Sequence, residues 1–123
     1  EVDFPTFIAD FGQVLAKSEN QTLNKMVAEK LDVWGREDLD PKLQLTEIDR
    51  IIKVLEVYER GEIFDSETGN TVSYKELFED EELLKKHTSG TENEQRVEDF
   101  VFSKDKTGQW KLTLVYWNTK GRQ

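Results

Sequence analysis

Arg96-Val97-Glu98-Asp99-Phe100-Val101-Phe102-Ser103 and Gln109-Trp110-Lys111-Leu112-Thr113-Leu114-Val115-Tyr116-Trp117 flank the polar run Lys104-Asp105-Lys106-Thr107-Gly108. The flanks predict two strands, Arg96 to Ser103 and Gln109 to Trp117, and the middle predicts their turn. Trp110, Leu112, Leu114 and Tyr116 share one parity while Gln109, Lys111 and Thr113 share the other, the period of a half-buried antiparallel strand. Gly108 supplies the positive φ that closes such a loop. The chain therefore carries a C-terminal β-hairpin, with Trp110, Leu112, Leu114 and Tyr116 expected to face the core.

Upstream of the hairpin the period changes to that of helices. Phe4, Phe7, Ile8, Phe11, Val14 and Leu15 recur at helical spacing, with Asp3 as N-cap and Pro5 in the first turn, so a first helix runs to about Lys17. Ser18-Glu19-Asn20-Gln21 breaks it, and Leu23, Met26, Val27 and Leu31 predict a second, shorter helix packed on the first. Val33 and Trp34 lead into the polar connection Gly35-Arg36-Glu37-Asp38-Leu39-Asp40-Pro41. A third helix follows, capped by Thr46, ended by Gly61, and apolar along Ile48, Ile51, Ile52, Leu55 and Tyr58. Glu62 to Asp65 reads as a short strand or extended arm. Ser73 and Glu76 form a capping box, with Val72 and Leu77 as its hydrophobic staple, for a fourth helix ending near Lys85-Lys86-His87. Helices first and strands last predict an α+β domain over residues 1–123.

Composition narrows the function classes. A chain of 123 residues with thirteen aromatic side chains is large enough for a packed core and too aromatic for an acidic disordered segment. Its net charge of −9 repels phosphate backbones, and no basic patch interleaved with aromatics offsets it, so nucleic acid is not an expected partner. No apolar run approaches the roughly 20 residues of a membrane span. The absence of cysteine leaves the redox compartment open. With Glu1 first and neither a methionine nor an apolar leader ahead of it, the expectation is an exported domain, periplasmic or lipid-anchored, whose N-terminal signal has been removed.

The Phe-rich first helix, the second helix ending in the aromatic Trp34, the Gly35 to Pro41 connection and the Arg96 to Tyr116 hairpin together resemble the NTF2-like superfamily, in particular its small exported bacterial domains of uncharacterised function. The resemblance implies N-terminal helices packed on a curved antiparallel sheet, a cone with an apolar cavity. Its lining would be drawn from Phe7, Phe11, Trp34, Tyr58, Asp99, Phe100, Trp110 and Tyr116, and its occupant would be a small apolar ligand. The simpler reading of these aromatics is that they fill the core.

Members of the superfamily that resemble steroid isomerases place a carboxylate and a hydroxyl in the cavity to move a proton. Here Asp99 is the one acid that alternation sets between apolar neighbours, Val97 and Val101. Phe100 and Phe102 claim the core face, which leaves Asp99 in solvent. His87, beside two lysines at a helix end, reads as solvated too. No catalytic residue is assigned. Counted as a twelve-residue calcium loop, Asp65 to Glu76 has carboxylates at positions 1, 3 and 12, yet Asn70 stands where the turn wants glycine and Gly69 replaces a ligand, so it reads as a polar turn. One histidine and no cysteine leave zinc and redox metals without ligands. No phosphate loop, dinucleotide fingerprint or nucleophile elbow is present, and no cofactor is expected.

The acidic runs Glu37-Asp38-Leu39-Asp40 and Glu79-Asp80-Glu81-Glu82 are solvated faces, or else a docking surface for a basic protein such as an immunity-type inhibitor uses. The expectation is a small non-enzymatic binding or accessory domain. Its alternatives are an isomerase- or dehydratase-like enzyme and an acidic inhibitor of a basic protein, with self-association into a homodimer as a further partner option.

Overall fold

The computed structural model describes residues 2–34 and 45–117, so the Gly35 to Pro41 connection and its acidic run lie outside the described residues. Helix α1, Phe4–Lys17, starts where Asp3 accepts the Thr6 amide at 3.0 Å and stops where Ser18 turns left-handed at φ 56°. Its apolar stripe is Phe7, Ile8, Phe11, Val14 and Leu15, as the spacing predicts. Helix α2 covers Asn20–Met26 and strand β1 covers Val27–Trp34.

The second helix is thus shorter than expected, and Val27 to Trp34 is a strand. The reason lies in its pairing. β1 runs parallel to the last strand β7, Trp110–Tyr116, with Val27 opposite Leu112 and Asp32 opposite Leu114, so five steps on β1 match two on β7. Strand alternation puts buried Val27 and Leu31, four residues apart, on one face, a spacing that in sequence is indistinguishable from a helical stripe.

Helix α3, Glu47–Arg60, has the expected cap, Thr46 accepting the Asp49 amide at 3.1 Å, and ends at Gly61. A side chain at Gly61 would meet the Tyr74 ring, 2.2 Å from Cε2, so only glycine admits that close approach. The buried face of α3 is Ile51, Val54 and Val57, rotated by roughly a quarter turn from the predicted stripe, and it leaves Ile48 71% exposed. Strands β2, Glu62–Asp65, and β3, Asn70–Ser73, form a separate two-stranded hairpin. The capping box of Ser73 and Glu76 then opens α4, Tyr74–Glu79.

The fourth helix is not continuous. Asp80 takes an extended backbone and accepts the Leu83 amide at 3.1 Å, so it ends α4 and caps α5, Glu81–Lys86. A carboxylate that bonds the backbone ahead of it competes with helix continuation. Strands β4, Thr88–Gly90, β5, Glu94–Val97, and β6, Phe100–Lys104, complete a five-stranded sheet in the order β1-β7-β6-β5-β4. The fold is α+β. Its sheet is mixed rather than wholly antiparallel and is not closed, because β1 and β4 are edges.

Two departures from the expected hairpin follow from the backbone. Arg96 to Ser103 is two strands, folded at Glu98-Asp99, where Glu98 has φ +51° and Val97 pairs directly with Phe100. In β7, Leu112 faces Phe102 but Leu114 faces Val101, so Thr113 is an extra residue. The bulge exchanges the two faces beyond it: Trp110, Leu112 and Val115 are buried, while Leu114 and Tyr116 are half-buried on the other side. The β6–β7 turn itself is as expected, with Gly108 at φ +85° and Asp105 accepting the Thr107 hydroxyl at 2.6 Å and the Gln109 amide at 3.0 Å.

Aromatic rings fill the space between α1 and the sheet. Phe11 lies 5.1 Å from Phe102 and 5.7 Å from Phe100, all three fully buried, and Phe4 packs edge-on against Trp110 at 4.9 Å. These offset and edge-on contacts are the arrangement that ring quadrupoles favour.

Candidate functional site

The expected pocket residues do not share one environment. Phe7, Phe11, Phe100 and Trp110 are buried in the core. Tyr58 lies at its margin, stacked on Phe78 at 6.3 Å. Trp34 is 62% exposed and stands 6.3 Å from Tyr116 on the far face of the sheet, where Arg96 covers the Tyr116 ring at 4.8 Å. The structure brings the first four together and separates Trp34 and Tyr116 from them.

Asp99 is buried, not solvated. Folding the chain back at Glu98-Asp99 turns its side chain towards α4, where the Tyr74 hydroxyl donates to Oδ2 at 2.6 Å and accepts the Asp99 amide at 2.9 Å. Tyr74 is fully buried against Phe100 at 5.0 Å and Phe78 at 5.9 Å. The pair pins the first residue of α4 to the β5–β6 turn. Sequence reasoning missed Tyr74, which stands directly after the cap Ser73; the available signal was that an apolar-flanked carboxylate needs a buried donor. His87 is also half-buried, closing α5 with its Nδ1 2.8 Å from Glu98 Oε2.

Among the described residues a broad concave surface lies elsewhere, between the β2–β3 hairpin and the α4–α5 pair. It is a groove of about 1070 Å³ bordered by five carboxylates, Asp65, Glu67, Glu76, Asp80 and Glu82, against two lysines, Lys85 and Lys86. Local structure sets these positions. Asp65 ends β2 and accepts the Glu67 amide and the Thr68 hydroxyl, both at 3.2 Å, while Glu76 and Asp80 serve as caps. Lys86 bridges to Glu67 at 2.8 Å and to Asp65 at 3.7 Å, so one of the two cations is already engaged. The twelve residues from Asp65 to Glu76, expected to be a polar turn, form the β2–β3 hairpin turn, its second strand and the cap of α4. Among the described residues no group of three or more histidine or carboxylate side chains is arranged to hold a metal.

Burial pushes the Asp65 carboxyl up, but the Glu67 amide, the Thr68 hydroxyl and the charges of Lys86 and His87 together hold it below the usual carboxylate range. The Lys86 ammonium is held above its ordinary value, chiefly by its bond to Glu67. A carboxyl lowered in the folded state contributes stability that is complete above about pH 4 and is lost as pH falls through the folded value. Asp65→Asn is therefore expected to lower stability at neutral pH and to converge on the unsubstituted chain in acid, read by urea unfolding across that range. A deficit independent of pH would remove the carboxylate's charge from the explanation.

Comparison with protein-family models, with curated proteins and with solved structures finds no match. No helix among the described residues is long and apolar enough to cross a membrane.

Proposed function

We propose that this chain is a non-enzymatic binding domain whose recognition surface is the acidic groove, and that it takes a basic segment of a partner protein. The observation that carries the reading is the five-to-two excess of carboxylates over lysines along that groove, in a chain whose net charge is −9. Like-signed charge lining a concavity raises the local concentration of an oppositely charged partner and speeds its docking. The buried carboxylate of the enzyme alternative serves a different purpose here: Asp99 is engaged by Tyr74 among packed rings. An acidic inhibitor of a basic protein is the form of this function that the charge favours.

The NTF2-like resemblance belongs to the same proposal. It is supported by two helices, a strand and a helix in the first half of the chain, by the consecutive antiparallel strands β4 to β7 that follow the β2–β3 hairpin and α4–α5, and by the phenylalanines of α1 against the inner sheet face.

A lysine-rich peptide serves as the probe. Calorimetric titration at low salt is expected to show binding that weakens steadily as salt rises. Glu67→Gln and Glu82→Gln, neither of them a helix cap, are each expected to weaken it about two- to fivefold, the range set by exposed charge pairs. No binding at low salt, or binding indifferent to both substitutions, contradicts the proposal.

A further inference from the structure

The rotation of α3 described above leaves an apolar stripe outside the core. Ile48 is 71% exposed and Ile52 is 45% exposed, with Leu55 half-buried beside them. They stand at i, i+4 and i+7 of one helix, the alternating spacing of a seam that packs against a second helix. The stripe borders a groove of about 490 Å³ between α2 and α3, whose rim holds the amides Asn20, Gln21 and Asn24 together with Lys25 and Glu47. Asn24 donates to Glu47, which ties α2 to the first turn of α3 and fixes the groove's shape.

Charge identifies the occupant. Among the described residues the rim carries one cation, Lys25, and one anion, Glu47, so its own charges cancel in a chain whose net charge is −9. Two copies approaching through their acidic surfaces repel each other; across this face that local repulsion is absent. A two-fold interface brings the same patch from both sides, so each copy must supply both halves of every complementary pair. A rim holding Lys25 and Glu47 meets that condition, and the seam of each copy has the groove of the other to enter.

We propose that the α2–α3 face is where two copies of this chain associate, helix α3 packing on its counterpart through Ile48, Ile52 and Leu55. The acidic groove plays no part in it and stays open in the pair.

Sedimentation equilibrium from micromolar to high concentration is expected to show a reversible monomer–dimer system. Ile52→Glu is expected to weaken the dimer at least tenfold with an unchanged far-ultraviolet circular dichroism spectrum. Ile48→Gln, at the most exposed of the three positions, gives the same readout should Ile52→Glu perturb folding. Lys25→Glu, which makes the rim acidic like the rest of the chain, is expected to weaken the dimer at low salt and less at high salt. A chain that stays monomeric throughout, or a dimer whose affinity survives both isoleucine substitutions, overturns the proposal.

Discussion

Replacing Leu112 with alanine is expected to cost about 2 to 5 kcal/mol, and the same change at Leu114 less than about 1 kcal/mol. Both are leucines of one parity in one strand, and uninterrupted alternation would make them equivalent. The bulge at Thr113 separates them. Leu112 is fully buried opposite Phe102, and its loss leaves a cavity under the phenylalanines of α1. Leu114 sits opposite Val101 on the other face, partly in solvent. Denaturant unfolding measures both changes as shifts in midpoint at constant slope. Equal costs would mean that the strand alternates without interruption and that the bulge is not there.

Tyr74→Phe is expected to cost about 1 to 3 kcal/mol, although it removes a single oxygen and keeps the ring against Phe100 and Phe78. The hydroxyl acts twice, donating to the Asp99 carboxylate and accepting the Asp99 amide, at a site closed to water. Without it, both Asp99 groups lose that contact in place. Asp99→Asn keeps an oxygen to accept from Tyr74 and is expected to cost less. A Tyr74→Phe variant as stable as the unsubstituted chain would show that the hydroxyl does not hold α4 to the β5–β6 turn.

What could be read ahead of the structure was whatever local chemistry decides. The Asp3 and Thr46 caps, the Ser73–Glu76 capping box, the stop at Gly61 and the Gly108 turn each depend on a few neighbouring residues, and each stands where the sequence places it. The errors arose where a distant strand sets the geometry. Val27 to Trp34 is a strand because β7, more than 75 residues on, pairs with it at an irregular register. Glu98 adopts a left-handed turn without being glycine or asparagine, in a turn held by Tyr74 through Asp99. Burial on α3 was misjudged because its apolar residues cover more than one face, and only packing decides which face the core takes.

The site followed the same division. The acidic run Glu79-Asp80-Glu81-Glu82 was visible as charge, and two of its residues border the groove. That Asp65 and Glu67 face them needs the β2–β3 hairpin, whose second strand the sequence did not disclose. The expected pocket residues are divided between two environments for a simpler reason: aromatic content does not tell on which side of a sheet each ring lies. Trp34 and Tyr116 ended on the face away from α1.

Amide shift mapping by NMR, during titration of the lysine-rich peptide at low salt, tests the recognition surface most directly. The shifts are predicted to gather along the groove, at Asp65 to Thr71 on the hairpin and at Asp80 to Lys86 on α5, and to fade as salt is added. Shifts gathered instead at Phe7, Phe100 and Trp110 in the core, or no shifts at all, would contradict the groove as the binding surface.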